Sequence, residues 1–138
     1  MILVAAGIII KDEKILIAQR KQGSYLEYKW ELPGGKLEEN ESPEECLKRE
    51  LEEELNIEVE VKGLFTESEY SYPDLDVDIL VFNMNYINGS FKLTSHSQVK
   101  WVKPSELGYY DFAEADRPIV TKLMESYKCS TLGSNKDK

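Results

Sequence analysis

Glu50, Glu53 and Glu54 stand at positions i, i+3 and i+4 within ESPEECLKRELEEELNI, residues 41–57. On a helix that spacing puts all three carboxylates on one face. Two carboxylates roughly 6 Å apart, at an effective dielectric near 20, repel by about 3 kcal/mol. Lys48 and Arg49 are the only bases in this stretch and cannot neutralise so many acids. A divalent cation can. Mg²⁺ takes carboxylates together with water and substrate phosphates, and Mn²⁺ is the natural substitute. The plain alternative is a solvated acidic face, which is what most acidic runs on helices are. The flanking sequence has to decide between the two.

The charge is concentrated. Residues 38–60 hold eleven acids against two bases, which equals the whole net charge of −9. Elsewhere fifteen acids and fifteen bases cancel. Such a field disfavours a nucleic-acid polymer as partner and favours cations, and through them small phosphorylated molecules. No apolar run approaches the roughly 18 residues a membrane span needs. The apolar start, MILVAAGIIIKDEK, lacks the basic leader of a signal peptide. Cys46 and Cys129 are too few for a disulfide framework, so a reducing cytoplasm is expected.

The elements that must hold the acidic face are legible around it. Ser42, Pro43 and Glu45 spell an N-cap, a first-turn proline and a capping box. Leu47, Leu51 and Leu55, with Cys46 beside them, form the core-facing stripe. Asn56 follows as a left-handed stop. Before the helix, Ile2–Ile10 and Ile15–Arg20 predict a hairpin, and Trp30–Leu32 a short strand broken by Pro33-Gly34-Gly35. After it, Ile57–Val61, Leu64–Tyr72, Val77–Tyr86 and Val99–Val102 read as strands, with a hairpin turn at Asn88-Gly89. A second amphipathic helix spans Pro118–Tyr127, and residues 129–138 read as a disordered tail. Strands mixed with two helices predict one α+β domain over 1–128, a sandwich with a mixed sheet between helices.

From Gly35 onward the spacing resembles the Nudix box: Gly, five residues, Glu, seven residues, Arg-Glu, an aliphatic, any residue, Glu-Glu, any residue, Gly, an aliphatic. Gly35, Glu41, Arg49, Glu50, Leu51, Glu53, Glu54 and Ile57 match, and Asn56 replaces the second Gly. Six fixed matches at background usage arise by chance on the order of once in 10⁷ windows, which settles the choice against a merely solvated face. Asn tolerates the left-handed conformation, so the departure is mild. WELPGG, Arg20, EYSYPD and FAEADRPIV are also similar to MutT-like and CTP-pyrophosphohydrolase-like members. The resemblance implies an α/β/α sandwich of the Nudix fold. It implies Mg²⁺-dependent cleavage of a nucleoside triphosphate to monophosphate and pyrophosphate, with cytosine nucleotides, or methylated or oxidised ones cleaned from the pool, as substrates.

It also implies roles. Glu53, Glu54 and the Gly34 carbonyl would ligate the metal. Glu50 would be a further ligand or the general base. Arg49 would orient the carboxylates, unless it makes only a surface pair with Glu53. Glu41 would act through a metal-bound water or stabilise the helix start, and Gly35 would let the backbone turn. Arg20 would meet phosphate or sugar. A loop glutamate common among relatives is Ser95 here, leaving His96 and Gln98 as the nearest polar groups. Asp116 falls where MutT-type enzymes place a base-pairing Asn. An ionised Asp only accepts hydrogen bonds and so suits the exocyclic amine of cytosine or adenine, unless it caps the last helix instead. Phe112, Tyr72, Tyr70 and Tyr28 are candidates for stacking on a base.

Two other functions compete. One is an ADP-ribose or nucleotide-sugar diphosphatase. The other is a non-catalytic nucleotide sensor, disfavoured because the box glutamates are all present. The partner expected throughout is a small nucleotide, bound by a monomer or homodimer.

Overall fold

The computed structural model describes the backbone of residues 1–136 and the side chains as far as Tyr127. Strands β1 (Ile2–Lys11), β2 (Lys14–Arg20), β3 (Trp30–Glu31) and β4 (Gly34–Lys36) precede helix α1 (Pro43–Leu55). Strands β5 (Ile57–Tyr72), β6 (Leu75–Gly89) and β7 (His96–Val102) follow. Two short 3₁₀ turns, Pro104–Tyr109 and Glu114–Asp116, lead into helix α2 (Arg117–Lys136). The disordered tail expected from residue 129 falls where no side chain is described, and residues 137 and 138 lie outside the described residues.

The seven strands form one mixed sheet in the order β3-β2-β1-β6-β5, with β4 also on β1 and β7 also on β2. β1 and β6 run parallel; the other pairs are antiparallel. The period-2 alternation of β1 divides the core into two layers. Ala6 and Ile8 face the layer that holds Leu107, Ile119, Val120 and Leu123. Ala5 and Ile9 face the layer that holds Cys46, Leu47, Leu51 and Leu55 of α1. The sheet therefore lies between α1 and α2, as the α+β reading expects.

Helix α1 is capped as its sequence requires. Ser42 accepts from the Glu45 N–H, and the Ser42 N–H donates to the Glu45 carboxylate. Asn56 adopts φ 59°, ψ 45°, and its N–H donates to the Glu52 carbonyl.

Three local expectations are corrected. Pro33 follows the end of β3 as expected, but the two glycines do not form a plain loop: Gly34–Lys36 is β4, paired with Val4–Ala6. The two runs 57–61 and 64–72 are one strand interrupted by register shifts, which let a 16-residue strand twist without ending. Asn88-Gly89 makes no hairpin. Past Gly89 the chain crosses to the end of α1, where Lys92 N–H donates to the Leu55 carbonyl and Thr94 N–H to the Glu54 carbonyl. Phe91 and Leu93 pack on the α1 layer of the core. Burial of those two side chains and satisfaction of the helix-end carbonyls outweigh the turn propensity of the dipeptide.

Candidate active site

Arg49 organises the start of the acidic face. Its Nε and Nη2 donate to the two oxygens of Glu41 at 2.7 and 2.8 Å, a bidentate pair. Its Nη1 donates to Glu50 Oε1 at 2.8 Å and lies 3.4 Å from Glu53 Oε2. The surface pair with Glu53 is thus longer than its bonds to Glu41 and Glu50. The Arg49 guanidinium, with the Glu38 N–H, holds the Glu41 carboxyl down to about 2. Glu41 therefore stays ionised as an anchor for Arg49.

Gly35 is needed for approach rather than for a turn. Its φ is not positive. A Cβ built on it would lie 2.4 Å from Glu50 Cδ and 2.7 Å from Glu50 Oε2. The backbone of β4 is pressed against the Glu50 carboxylate, and only hydrogen fits between them. On Gly34 a Cβ would lie 2.0 Å from the Ala5 carbonyl oxygen.

Beside this face opens a cavity of about 500 Å³. Glu54, Gly34, Gly35 and Lys36 line one part of it; Arg20, Lys21, Ser95 and His96 another; Leu32, Ile79 and Asp116 a third. Burial, and then the neighbouring Glu50, push the Glu54 carboxyl up to about 8. Two carboxylates with too little compensating charge are the electrostatic signature of a cation site. Arg49 cannot help Glu54, because its donors go to Glu41 and Glu50. Glu54 and Gly34 line the cavity, and Glu50 and Glu53 share the helix face with Glu54, an all-oxygen set that fits a hard divalent ion. Glu53 lies on the solvent side of that face: its side chain is 62% exposed and does not line the cavity.

Asp116 also lines the cavity. Its Oδ2 accepts from the Leu32 N–H at 2.8 Å, so it ties β3 to the 3₁₀ turn and does not cap α2. Burial pushes its carboxyl up to about 7. Arg20 donates to Glu31 Oε1 at 2.9 Å and to the Tyr25 carbonyl. Tyr72 stacks edge-to-face with Tyr70 and Tyr25, outside the cavity lining. Tyr28 is half-exposed on the loop before β3. Phe112 is a correction. It is 3% exposed, bridged to Trp30 in the core, and no base can reach its ring.

Glu31 escaped the sequence reading. Its carboxylate holds Arg20 on one oxygen and faces His96 Nε2 at 3.0 Å on the other. Burial would raise this carboxyl, but the His96 and Arg20 hydrogen bonds hold it below its ordinary value. The signal was the acid in WELPGG, one residue beyond the strand's buried Trp30. Lys21, which donates to the Thr94 carbonyl at the cavity edge, was also missed beside Arg20. His96 is buried and structural in position, while Gln98 donates to Gln19 away from the cavity.

The NUDIX domain model matches residues 1–123. Over 124 residues the chain is 35% identical to the CTP pyrophosphohydrolase of Escherichia coli K12, covering 90% of this chain and 92% of that protein. Over 121 residues it is 31% identical to the 8-oxo-dGTP diphosphatase of the same strain, covering 87% and 94%. The solution structure of the E. coli ORF135 protein superposes with a TM-score of 0.76 at 33% identity, over 94% of this chain and 89% of that one.

Proposed function

Because the chain belongs to the Nudix hydrolase family, we propose that it hydrolyses a nucleoside triphosphate, by preference a cytosine nucleotide, to monophosphate and pyrophosphate with Mg²⁺. The observation that carries this reading is one cavity lined by unlike groups: Glu54 and Gly34, Arg20, and Asp116.

Nudix hydrolases generally use divalent metals. Glu53, Glu54 and the Gly34 carbonyl would hold the ion, which when bound polarises phosphate oxygens and activates water. Glu50 keeps Oε1 in the hydrogen bond from Arg49 and presents Oε2 beside Gly35. That second oxygen is the acceptor for the attacking water's proton. Arg49 and Glu41 fix the carboxylate so that little motion accompanies the transfer. Arg20, held in place by Glu31, meets the phosphate or sugar.

Asp116 reads the base. With Oδ2 held by Leu32, Oδ1 is the oxygen that would accept from the exocyclic amine of cytosine. The ionised form repels guanine O6, whereas the protonated form, favoured by the burial that raises this carboxyl to about 7, can donate to it. The E. coli relatives, one a CTP pyrophosphohydrolase and one an 8-oxo-dGTP diphosphatase, set the two ends of the choice.

The test is a panel of CTP, dCTP, 5-methyl-dCTP, 8-oxo-dGTP, ATP and ADP-ribose with Mg²⁺, with products identified by chromatography. Pyrophosphate with cytidine monophosphates as the fastest products supports the proposal. Much faster turnover of 8-oxo-dGTP sinks the cytosine preference, and orthophosphate as the sole inorganic product sinks the reaction type.

A further inference from the structure

A second group of acids lies outside the cavity. Glu69 on β5 stands opposite Asp78 on β6, and Glu67 lies two residues along on the same face of the strand. One carboxylate oxygen from each of the three falls within 4.8 Å of the others. Among the described residues, no Lys, Arg or His pairs with any of them. Glu67 and Glu69 are exposed, and such residues alone would be an ordinary wet acidic patch.

Asp78 makes the difference. It is 8% exposed, and its Oδ1 is buried with no hydrogen-bond partner. A buried carboxylate oxygen without a partner is costly, and like charges facing across a strand pair add to the cost. Asp78 also pushes the Glu67 carboxyl upward, in keeping with their close approach. Something of opposite charge belongs there.

We infer that Glu67, Glu69 and Asp78 form a second cation site, filled by a hard divalent ion of about the size of Ca²⁺ and separate from the nucleotide cavity. The donors are all oxygen, which excludes a thiolate- or imidazole-selecting metal. Oxygens within 4.8 Å of one another can share one hard divalent ion, and Ca²⁺, with its flexible coordination, suits two exposed carboxylates better than Mg²⁺, which demands near-ideal octahedral geometry. The site is distinct from the Nudix box. Gly35 pairs with Ala5, Ala5 with Leu80, and Leu80 with Glu67. Three strand spacings make roughly 14 Å, far beyond the approximately 4 Å that separates paired catalytic metals. Bound there, the ion would tie β5 to β6 near the end of their long ribbon.

The test is equilibrium dialysis of the full chain against Ca²⁺ up to about 5 mM, since a site with two solvent-facing carboxylates falls in the weak range. Wild type and Glu54→Gln, which alters only the Nudix box, should each bind the ion at this second site. Glu69→Gln and Asp78→Asn should each bind one Ca²⁺ fewer than wild type. Ca²⁺ should raise the melting temperature of Glu54→Gln and leave that of the double variant Glu54→Gln/Glu69→Gln unmoved. Glu69→Gln changes an exposed side chain, so it keeps the test sound if Asp78→Asn folds poorly. Its nucleotide hydrolysis in Mg²⁺ should match wild type, which separates this site from the proposed activity. Unchanged Ca²⁺ stoichiometry in Glu69→Gln overturns the site. So does an Asp78→Asn chain that is more stable in chelator while wild type binds no second ion, for then Asp78 and Glu67 merely share a proton.

Discussion

Gly35→Ala tests how closely β4 and the Glu50 carboxylate must approach. The added methyl would sit 2.4 Å from Glu50 Cδ and 2.7 Å from Cγ and Oε2. Ordinary contact begins near 3.4 Å, so the carboxylate must move by about 1 Å. The obstacle is the far end of a flexible side chain, and the φ of Gly35 is not positive, so the backbone can stay where it is. Moving Glu50 nevertheless strains its 2.8 Å bond from Arg49 and displaces the proposed proton acceptor. A misplacement of about 1 Å costs on the order of 10²-fold in rate, or nearly 3 kcal/mol in the barrier. The assay is steady-state hydrolysis of CTP with saturating Mg²⁺, beside thermal unfolding in chelator. The expected result is kcat down about 100-fold with the melting temperature little changed. Gly34→Ala is the contrast. Its methyl meets the Ala5 carbonyl oxygen at 2.0 Å and the Ala6 Cα at 2.8 Å, which is backbone with no rotamer to escape into. That variant should lose stability first. Full activity in Gly35→Ala, or a loss of stability matching Gly34→Ala, would refute the assignment of Gly35 to the site.

Glu53→Gln should leave the fold intact, because the side chain is largely exposed, yet lower Mg²⁺-dependent turnover by orders of magnitude; retained turnover removes Glu53 from the metal face. Glu54 gives a pH prediction. Its folded carboxyl is raised to about 8 from an ordinary 4.5, so the metal-free fold holds this proton more tightly than the unfolded chain. That stabilisation is complete below about 4.5 and is lost as pH rises through about 8. Metal requires the deprotonated form, so the gap in melting temperature between Mg²⁺ and chelator should widen from pH 5 to pH 8. A gap that narrows over that window contradicts the Glu54 assignment. Asp116→Asn keeps an acceptor for the Leu32 N–H and adds a donor, so the ratio of kcat/KM for 8-oxo-dGTP over CTP should rise by about tenfold or more; an unchanged ratio means that Asp116 does not face the base.

The helix could be read from the chain almost residue by residue because its determinants are local. Ser42, Pro43, Glu45 and Asn56 act within a turn of themselves, and the leucine stripe repeats at helical period. The strands were legible as segments, but their pairing was not. Asn88-Gly89 carries a hairpin signal, and only the distant end of α1 explains why the chain ignores it. The same limit applies to the site. Glu50 and Glu54 share a face by spacing alone, whereas Glu31 becomes a site residue only when β2 and β7 bring Arg20 and His96 to it from 11 and 65 residues away. Phe112 was misjudged for the same reason, since its bridge to Trp30 joins segments far apart in the sequence. The role of Gly35 was visible as a glycine requirement, but its cause, contact with Glu50, is a packing fact.

Asn56, the one departure from the box, bears on how the cavity is closed. Glycine would supply the left-handed conformation at less steric cost. Asn supplies it and also donates from Nδ2 to the Ser90 carbonyl at 2.8 Å. That bond fastens the crossing segment just where it leaves β6. Further along, Thr94 N–H donates to the Glu54 carbonyl, and Lys21 Nζ reaches the Thr94 carbonyl from beside Arg20. The crossing is thus pinned at Ser90, Lys92 and Thr94 before it delivers Ser95 and His96 to the cavity wall. A glycine at this position would lack the first pin. In this chain, where Ser95 brings no carboxylate to the wall, the segment serves to place His96 against Glu31. Glu31 in turn holds Arg20 at the cavity wall.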